Sequence, residues 1–306
     1  MQSKLNFPDN EKLENSIKDL KSVDLSKLTY QKIIYALIKD IVVIPVTIAK
    51  IHEGYPIYRA RINKNGEIFT SEKDISYRTD FENITSYGRA NIPHQSMFYG
   101  AIESSEIEYP RIVNLFELSE LFREPNDNDG EVIMTVGKWR IKKEFQVIEM
   151  VFNKHNIENN PDIKKSYEYQ KELMLGDHPK QIKQIENVLE FFSDEFAKKD
   201  IKGDFDYKIS TAYMNLVLNQ RNDLHGITYP SVRTDNKANN IAIFPDSTEQ
   251  FLELEMVGMF RITKKGKRSF MDNLAVSTDL GKYNSDFKWI DIQNKTEEEI
   301  KKIIDG

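Results

Sequence analysis

The apolar residues of the chain recur with two periods, and the changes from one to the other mark its elements. Leu13, Ile17 and Leu20 repeat at helical spacing, as do Leu28, Ile33, Ile34, Leu37 and Ile38, so residues 10–40 are expected to hold two helices. Asp24 or Ser26 offers an N-cap for the second. The pattern then turns extended. Strands are expected at 41–49 (IVVIPVTIA), in PIYRARI at 57–62, and at Met97–Ala101. Residues 112–123 (IVNLFELSELFR) return to a helical period with one broad apolar face, and Pro125 with PNDNDG closes that element as a loop.

Residues 131–152 give two β-runs with partial alternation. The character changes over 153–204, where Asn, Asp, Lys and Glu dominate. HNIENNP reads as a linker, and HPKQIKQIENVLEFFSDEFA reads as a long amphipathic helix. A further helix is expected at 208–220, then β-segments in HGITYPS, NIAIFP and LELEMVGMFRI, and finally a short charged helix in TEEEIKKIIDG. The expected fold is therefore α+β: a mixed β core with flanking helices and a helical insertion. Its expected parts are an N-terminal helical extension (1–50), a core domain (51–265) with the insertion at about 153–204, and a C-terminal tail with a short helix (266–306). No regular βαβ alternation occurs, and neither GxGxxG nor GxxxxGK[ST] is present.

Composition narrows the chemistry. Of 306 residues 39% are hydrophobic and 11% aromatic, enough for one large core, and a net charge of −6 is a poor match for a general nucleic-acid binder. The local basic run Lys264-Lys265-Gly266-Lys267-Arg268 is expected to be a solvated hairpin turn. With no cysteine, disulfides, thiolate metal sites and cysteine nucleophiles are excluded. His52, His94, His155, His178 and His225 are scattered without an i, i+4 pair, which argues against zinc. The polar start and the shortness of the apolar run Ile41–Ala49 lead to the expectation of a cytoplasmic, soluble protein with no membrane partner.

Three separated stretches carry candidate chemistry. On a strand, Arg59 and Arg61 of YRAR share a face, and an arginine pair on a buried face is costly unless it meets anions. In SYGRANIPHQSMFYGA, a turn holding Gly88, Arg89 and Asn91 leads into a strand with Tyr99. In TYPSVRTDNKANNIAIF, Ser231 ends one strand and Asn240 begins the next. The collinear series YRAR, GRAN-P with FYGA, a glutamate-bearing helix, TVGKWRIKK, GITYPS and NNIAIF resembles the RES-domain family over about residues 55–260, apart from the middle segment. That family includes bacterial toxins of toxin–antitoxin pairs that consume NAD⁺, and its fold is similar to ADP-ribosyltransferases.

The resemblance implies a catalytic set of Arg59, Tyr99, Glu120 and Ser231, with Glu117 and Glu124 as alternative carboxylates about one helical turn away. It further implies ligand contacts from Arg59, Arg61, Arg89, Asn91, Tyr99 and Asn240. NAD⁺ would be substrate, with no resident cofactor and no metal, and ADP-ribose would pass to water or phosphate. Transfer of ADP-ribose to a protein, and a non-catalytic module that binds a nucleotide or a partner, remain alternatives on the same fold. The resemblance also implies a helix-turn-helix antitoxin as partner, while the segments 1–50 and 153–204 instead suit a cover over the cleft or a homodimer interface. Each residue has an ordinary role as well: Arg59 pairing with a buried carboxylate, Arg89 capping a helix's carbonyls, Gly88 at positive φ, Asn91 in an Asx-turn, Tyr99 in the core, and His225 as a structural side chain.

Overall fold

A computed structural model of the chain describes residues 6–107, 113, 117–123, 128–280 and 286–305, without the side chains of Glu120, Arg123 and Asp305. It opens with helices α1 (Asn10–Ser22) and α2 (Tyr30–Ala36). Asp9 caps α1 and Thr29 caps α2, so neither expected cap of the second helix is used. Asp24 instead accepts from Ser26 N and starts the intervening 3₁₀ turn Leu25–Lys27. The tail of α2 widens into a π turn over Leu37–Ile41 that ends at Val42, with φ 68°. The strand expected at 41–49 is displaced to β1 (Ile48–Ile51): the π turn takes Ile41, and residues 42–47, with Pro45 among them, belong to no strand.

The next elements are β2 (Pro56–Ile62), the one-turn helix α3 (Glu72–Ile75), β3 (Phe98–Ile102), α4 (Glu120–Arg123), β4 (Gly130–Ile141) and β5 (Phe145–Glu149). Helices α5 (Lys154–Asn159), α6 (Pro161–Asp177) and α7 (Ile182–Phe196) fill the expected insertion, and α8 (Lys208–Leu218) follows. Then come β6 (Leu224–Pro230), β7 (Asn239–Ile243), α9 (Pro245–Phe251), β8 (Leu252–Lys265), β9 (Arg268–Ser277), β10 (Ile290–Asp291) and α10 (Glu297–Asp305).

Among the described residues, ten strands join one sheet in the order β1-β5-β6-β7-β3-β2-β4-β8-β9-β10, and of their pairs only β5–β6 is parallel. The segment after residue 265 is therefore not a tail: β9 pairs with β8 from Val257↔Ser277 to Lys265↔Arg268 around a Gly266-Lys267 turn, with Gly266 at φ +55°. Its sequence, RSFMDNLAVS, hides the strand because half of its side chains are exposed and several are poor β-formers. The basic run does form that hairpin, but Lys264 is buried and donates to Leu121 O of α4 at 2.9 Å.

Two cores cover the two faces. On one, Leu13, Ile33 and Leu37 of the N-terminal helices meet Phe191, Phe192 and Phe196 of α7, Tyr213 of α8, and Ile148 and Ile227 of the sheet. The N-terminal segment and the insertion thus share a core with the sheet and are not appended pieces. On the other face, Ile57, Phe98, Trp139, Ile241 and Ile243 pack with Phe145, Phe251 and Leu254. No helix among the described residues is long and apolar enough to cross a membrane.

Candidate active site

The sheet opens in its middle. Strand β2 stays paired with β4 over its whole length, from Pro56↔Arg140 to Ile62↔Met134. Its pairing with β3 stops after Ile57↔Ile102 and Tyr58↔Ala101, while β3 continues along β7 to Phe98↔Ile243. Beyond Tyr58 the two strands part, and a cavity of about 580 Å³ occupies the opening. Arg59 and Arg61 line one lip, Tyr99 and Gly100 the other, with Arg89, Glu117, Tyr207, Tyr229 and Asn240 completing the wall.

Arg59 sits where the strands separate. Its Nη1 donates to Tyr99 O at 2.6 Å across the opening, and its Nε donates to Ile75 O and Ser76 O, both at 3.1 Å. Arg61 Nη1 donates to Asp74 O, and its guanidinium lies 5.0 Å from the Phe69 ring centroid. The acceptors at Asp74, Ile75 and Ser76 are the carbonyls that a helix end leaves unpaired; here α3 offers them to β2. A buried carboxylate partner for Arg59, the ordinary reading of its sequence position, is not among its described contacts. Carbonyls satisfy N–H donors without cancelling the charge, so the cationic character of the arginine pair is preserved. Burial, reinforced by the neighbouring charge of Arg61, pushes the Arg59 pKa down to about 10, still protonated at neutral pH.

Arg89 follows the same rule at another helix. Its Nη1 donates to Phe196 O at 2.8 Å and its Nη2 to Lys198 O at 2.9 Å, capping the end of α7, while the guanidinium stands 5.2 Å from the Tyr207 ring centroid. Arg89 therefore does cap a helix, and it also faces the cavity. The rest of the GRAN turn is a support. Tyr99 Oη donates to Asn91 Oδ1 at 2.7 Å and accepts from Ala90 N at 3.1 Å, and burial drives its phenol far above the usual range. Gly88 has no positive φ; a Cβ there would stand 2.3 Å from Asn91 Oδ1 and 2.9 Å from Tyr99 Oη. The glycine is needed for close approach and not for backbone handedness. Asn91 is buried, takes no part in an Asx-turn and is absent from the cavity wall, and its carboxamide oxygen holds the Tyr99 hydroxyl.

Among the described residues, the carboxylate on the cavity wall is Glu117. Its Oε1 accepts from Ser231 Oγ at 2.7 Å and from Asn240 Nδ2 at 3.0 Å, and it lines the cavity. The side chain of Glu120 and the whole of Glu124 lie outside the described residues. The helix expected over 112–123 is not continuous among the described residues, since the helical path breaks at Ser119 between Glu117 and α4. Ser231 is fully buried, so its hydroxyl holds Glu117 and is not open to a ligand. Its neighbour fixes the loop, with Ser231 N donating to Ala238 O at 2.7 Å. His225, read as structural, lies between Phe145 and Phe251 with Nδ1 3.0 Å from Ser247 Oγ, away from the cavity.

Sequence reasoning missed Tyr207, Tyr229, Lys64, Arg78 and Arg233 on the wall. These come from two 3₁₀ turns, a strand and loops, and no spacing links them; only Tyr229 and Arg233 lay inside a singled-out stretch, TYPSVRTDNKANNIAIF. No family model matches the chain. No curated protein matches its sequence. The convergence of Arg59, Arg61, Arg89, Tyr99, Glu117 and Asn240 on one cavity is thus a result of geometry.

Proposed function

We propose that the cleft binds NAD⁺ and breaks its nicotinamide–ribose bond, on a core of ADP-ribosyltransferase type. The observation that carries this reading is the polarity of the cavity: arginines held on carbonyls, and a carboxylate oriented by a serine and an asparagine. It is also the arrangement that the resemblance to RES-domain proteins implies, with Glu117 in the place of the glutamate.

Arginine forks match the oxygens of a diphosphate by paired N–H donors, and Arg59 and Arg89 keep donors beyond those bonded to carbonyls. Departure of nicotinamide leaves positive charge on the ribose, as in glycoside hydrolysis, and a carboxylate close to that ring stabilises it. Glu117 takes this role, bonded to a ribose hydroxyl, while Ser231 and Asn240 hold its orientation. The rings of Tyr99, Tyr207 and Tyr229 supply flat apolar surface for nicotinamide or adenine. Water or phosphate then takes the ADP-ribose.

Incubation of the purified chain with NAD⁺, followed by mass spectrometry with and without phosphate, tests the reading. Free nicotinamide with ADP-ribose or its 1″-phosphate is expected. Intact NAD⁺ after prolonged incubation with folded protein refutes it.

A further inference from the structure

The cleft has more positive charge than a diphosphate calls for. Its wall carries Arg59, Arg61, Lys64, Arg78, Arg89 and Arg233 against Glu117, in a chain whose net charge is −6. Arg78 is matched by Asp80, 2.6 Å away. Among the described residues, the other five cations form no ion pair with a carboxylate; Arg59, Arg61 and Arg89 rest on backbone carbonyls instead.

The surplus has a direction. Arg59 stands at the inner end, bonded to Tyr99 where β2 and β3 separate. Arg61 is on the same face of β2, roughly 7 Å further out at about 3.3 Å per residue, and Lys64 lies exposed beyond the strand's end. The inner cations, Arg59 with Arg89, suffice for a diphosphate. Arg61 and Lys64 then form a second anion-binding step nearer the mouth. Arg61 is preset for it by Asp74 O and the Phe69 ring.

We propose that this step receives a third phosphoryl group, the 2′-phosphate of NADP⁺, and that the cleft favours NADP⁺ over NAD⁺. The proposal rests on the reading of the cavity as a dinucleotide-cleaving site and names its preferred substrate. A phosphate monoester gripped by a fixed guanidinium and a mobile ammonium gains charge-assisted hydrogen bonds that the bare ribose hydroxyl lacks. On the scale of such bonds the preference is about ten- to a hundredfold in kcat/KM.

The test uses the full chain and follows nicotinamide release from NADP⁺, from NAD⁺, and from NAD⁺ with added inorganic phosphate. In parallel, calorimetry compares adenosine 2′,5′-bisphosphate with 5′-AMP. NADP⁺ is expected to be the better substrate and the bisphosphate the tighter ligand. Lys64→Ala and Arg61→Met are expected to bring both ratios towards one. Equal kcat/KM for the two dinucleotides overturns the preference but leaves the cleavage reading standing. If inorganic phosphate raises NAD⁺ turnover to the NADP⁺ level in the wild type but no longer does so in Lys64→Ala, the step belongs to a free phosphate and the proposal also falls. If neither dinucleotide is cleaved, the cleavage reading fails, and equal binding of bisphosphate and 5′-AMP then removes the phosphate step too.

Discussion

Replacing Glu117 by Gln removes one charge and almost nothing else. A glutamine carbonyl oxygen can accept from Ser231 Oγ and Asn240 Nδ2 in the place of Oε1, so the bonds of 2.7 Å and 3.0 Å have a neutral equivalent. The change from charge-assisted to neutral acceptance costs about 1 kcal/mol of stability, within reach of a folded variant. The effect on the proposed reaction is larger. A carboxylate about 4 Å from a developing unit charge, at an effective dielectric near 20, stabilises it by about 4 kcal/mol. At about 1.4 kcal/mol per decade, its loss slows bond cleavage about a thousandfold. The fall should be in kcat, because ground-state binding depends on arginines that the substitution leaves in place. Single-turnover nicotinamide release and a urea melt, run on the same preparations, give both numbers. A folded variant that retains more than a tenth of the wild-type rate refutes the assignment of Glu117, and an equal fall in affinity with kcat unchanged refutes its role at the transition state.

Arg89→Met leaves Phe196 O and Lys198 O without their donors and should lower unfolding free energy by about 1–3 kcal/mol in urea titration, in addition to weakening ligand binding. Gly226→Ala should prevent recovery of folded protein, because its Cβ would stand 2.2 Å from Ala242 O on the paired strand β7; a normal melting curve would contradict the β6–β7 register. Glu149 is a partly buried carboxyl raised above its usual range by burial, against the opposing bonds from Ser166 and Gln170. Its folded pKa exceeds the unfolded one, so its ionisation destabilises the native state above that window and is relieved as pH falls through it. The stability difference between wild type and Glu149→Gln should accordingly shift in favour of wild type from pH 7 to pH 5; a constant difference in chemical melts would contradict it.

Much of the site's parts list was readable in one dimension. Alternation on β2 put Arg59 and Arg61 on one face, and both line the cavity. The Gly-x-x-Asn spacing of the turn before Tyr99 is used as written, though for steric reasons and not for φ. The place of Glu117 on the cavity wall was not readable, because it depends on a break at Ser119 and on bonds to Ser231 and Asn240, more than 110 residues onward. The strand β9 was equally hidden, since its polar and apolar side chains do not alternate and its backbone pairing with β8 makes it a strand.

The sequence by itself determined which segments are amphipathic, and hence an α+β chain with strands in both halves and a helical stretch between β5 and β8, because side-chain periodicity is a local property. The tertiary structure alone decided that the terminal and middle helices share one core with the sheet, that β2 and β3 part after Tyr58, and that three arginines end on carbonyls with their charge intact. Those outcomes depend on contacts between residues far apart in the chain, where packing and the pairing of unsatisfied backbone groups, and not local pattern, set the minimum of free energy.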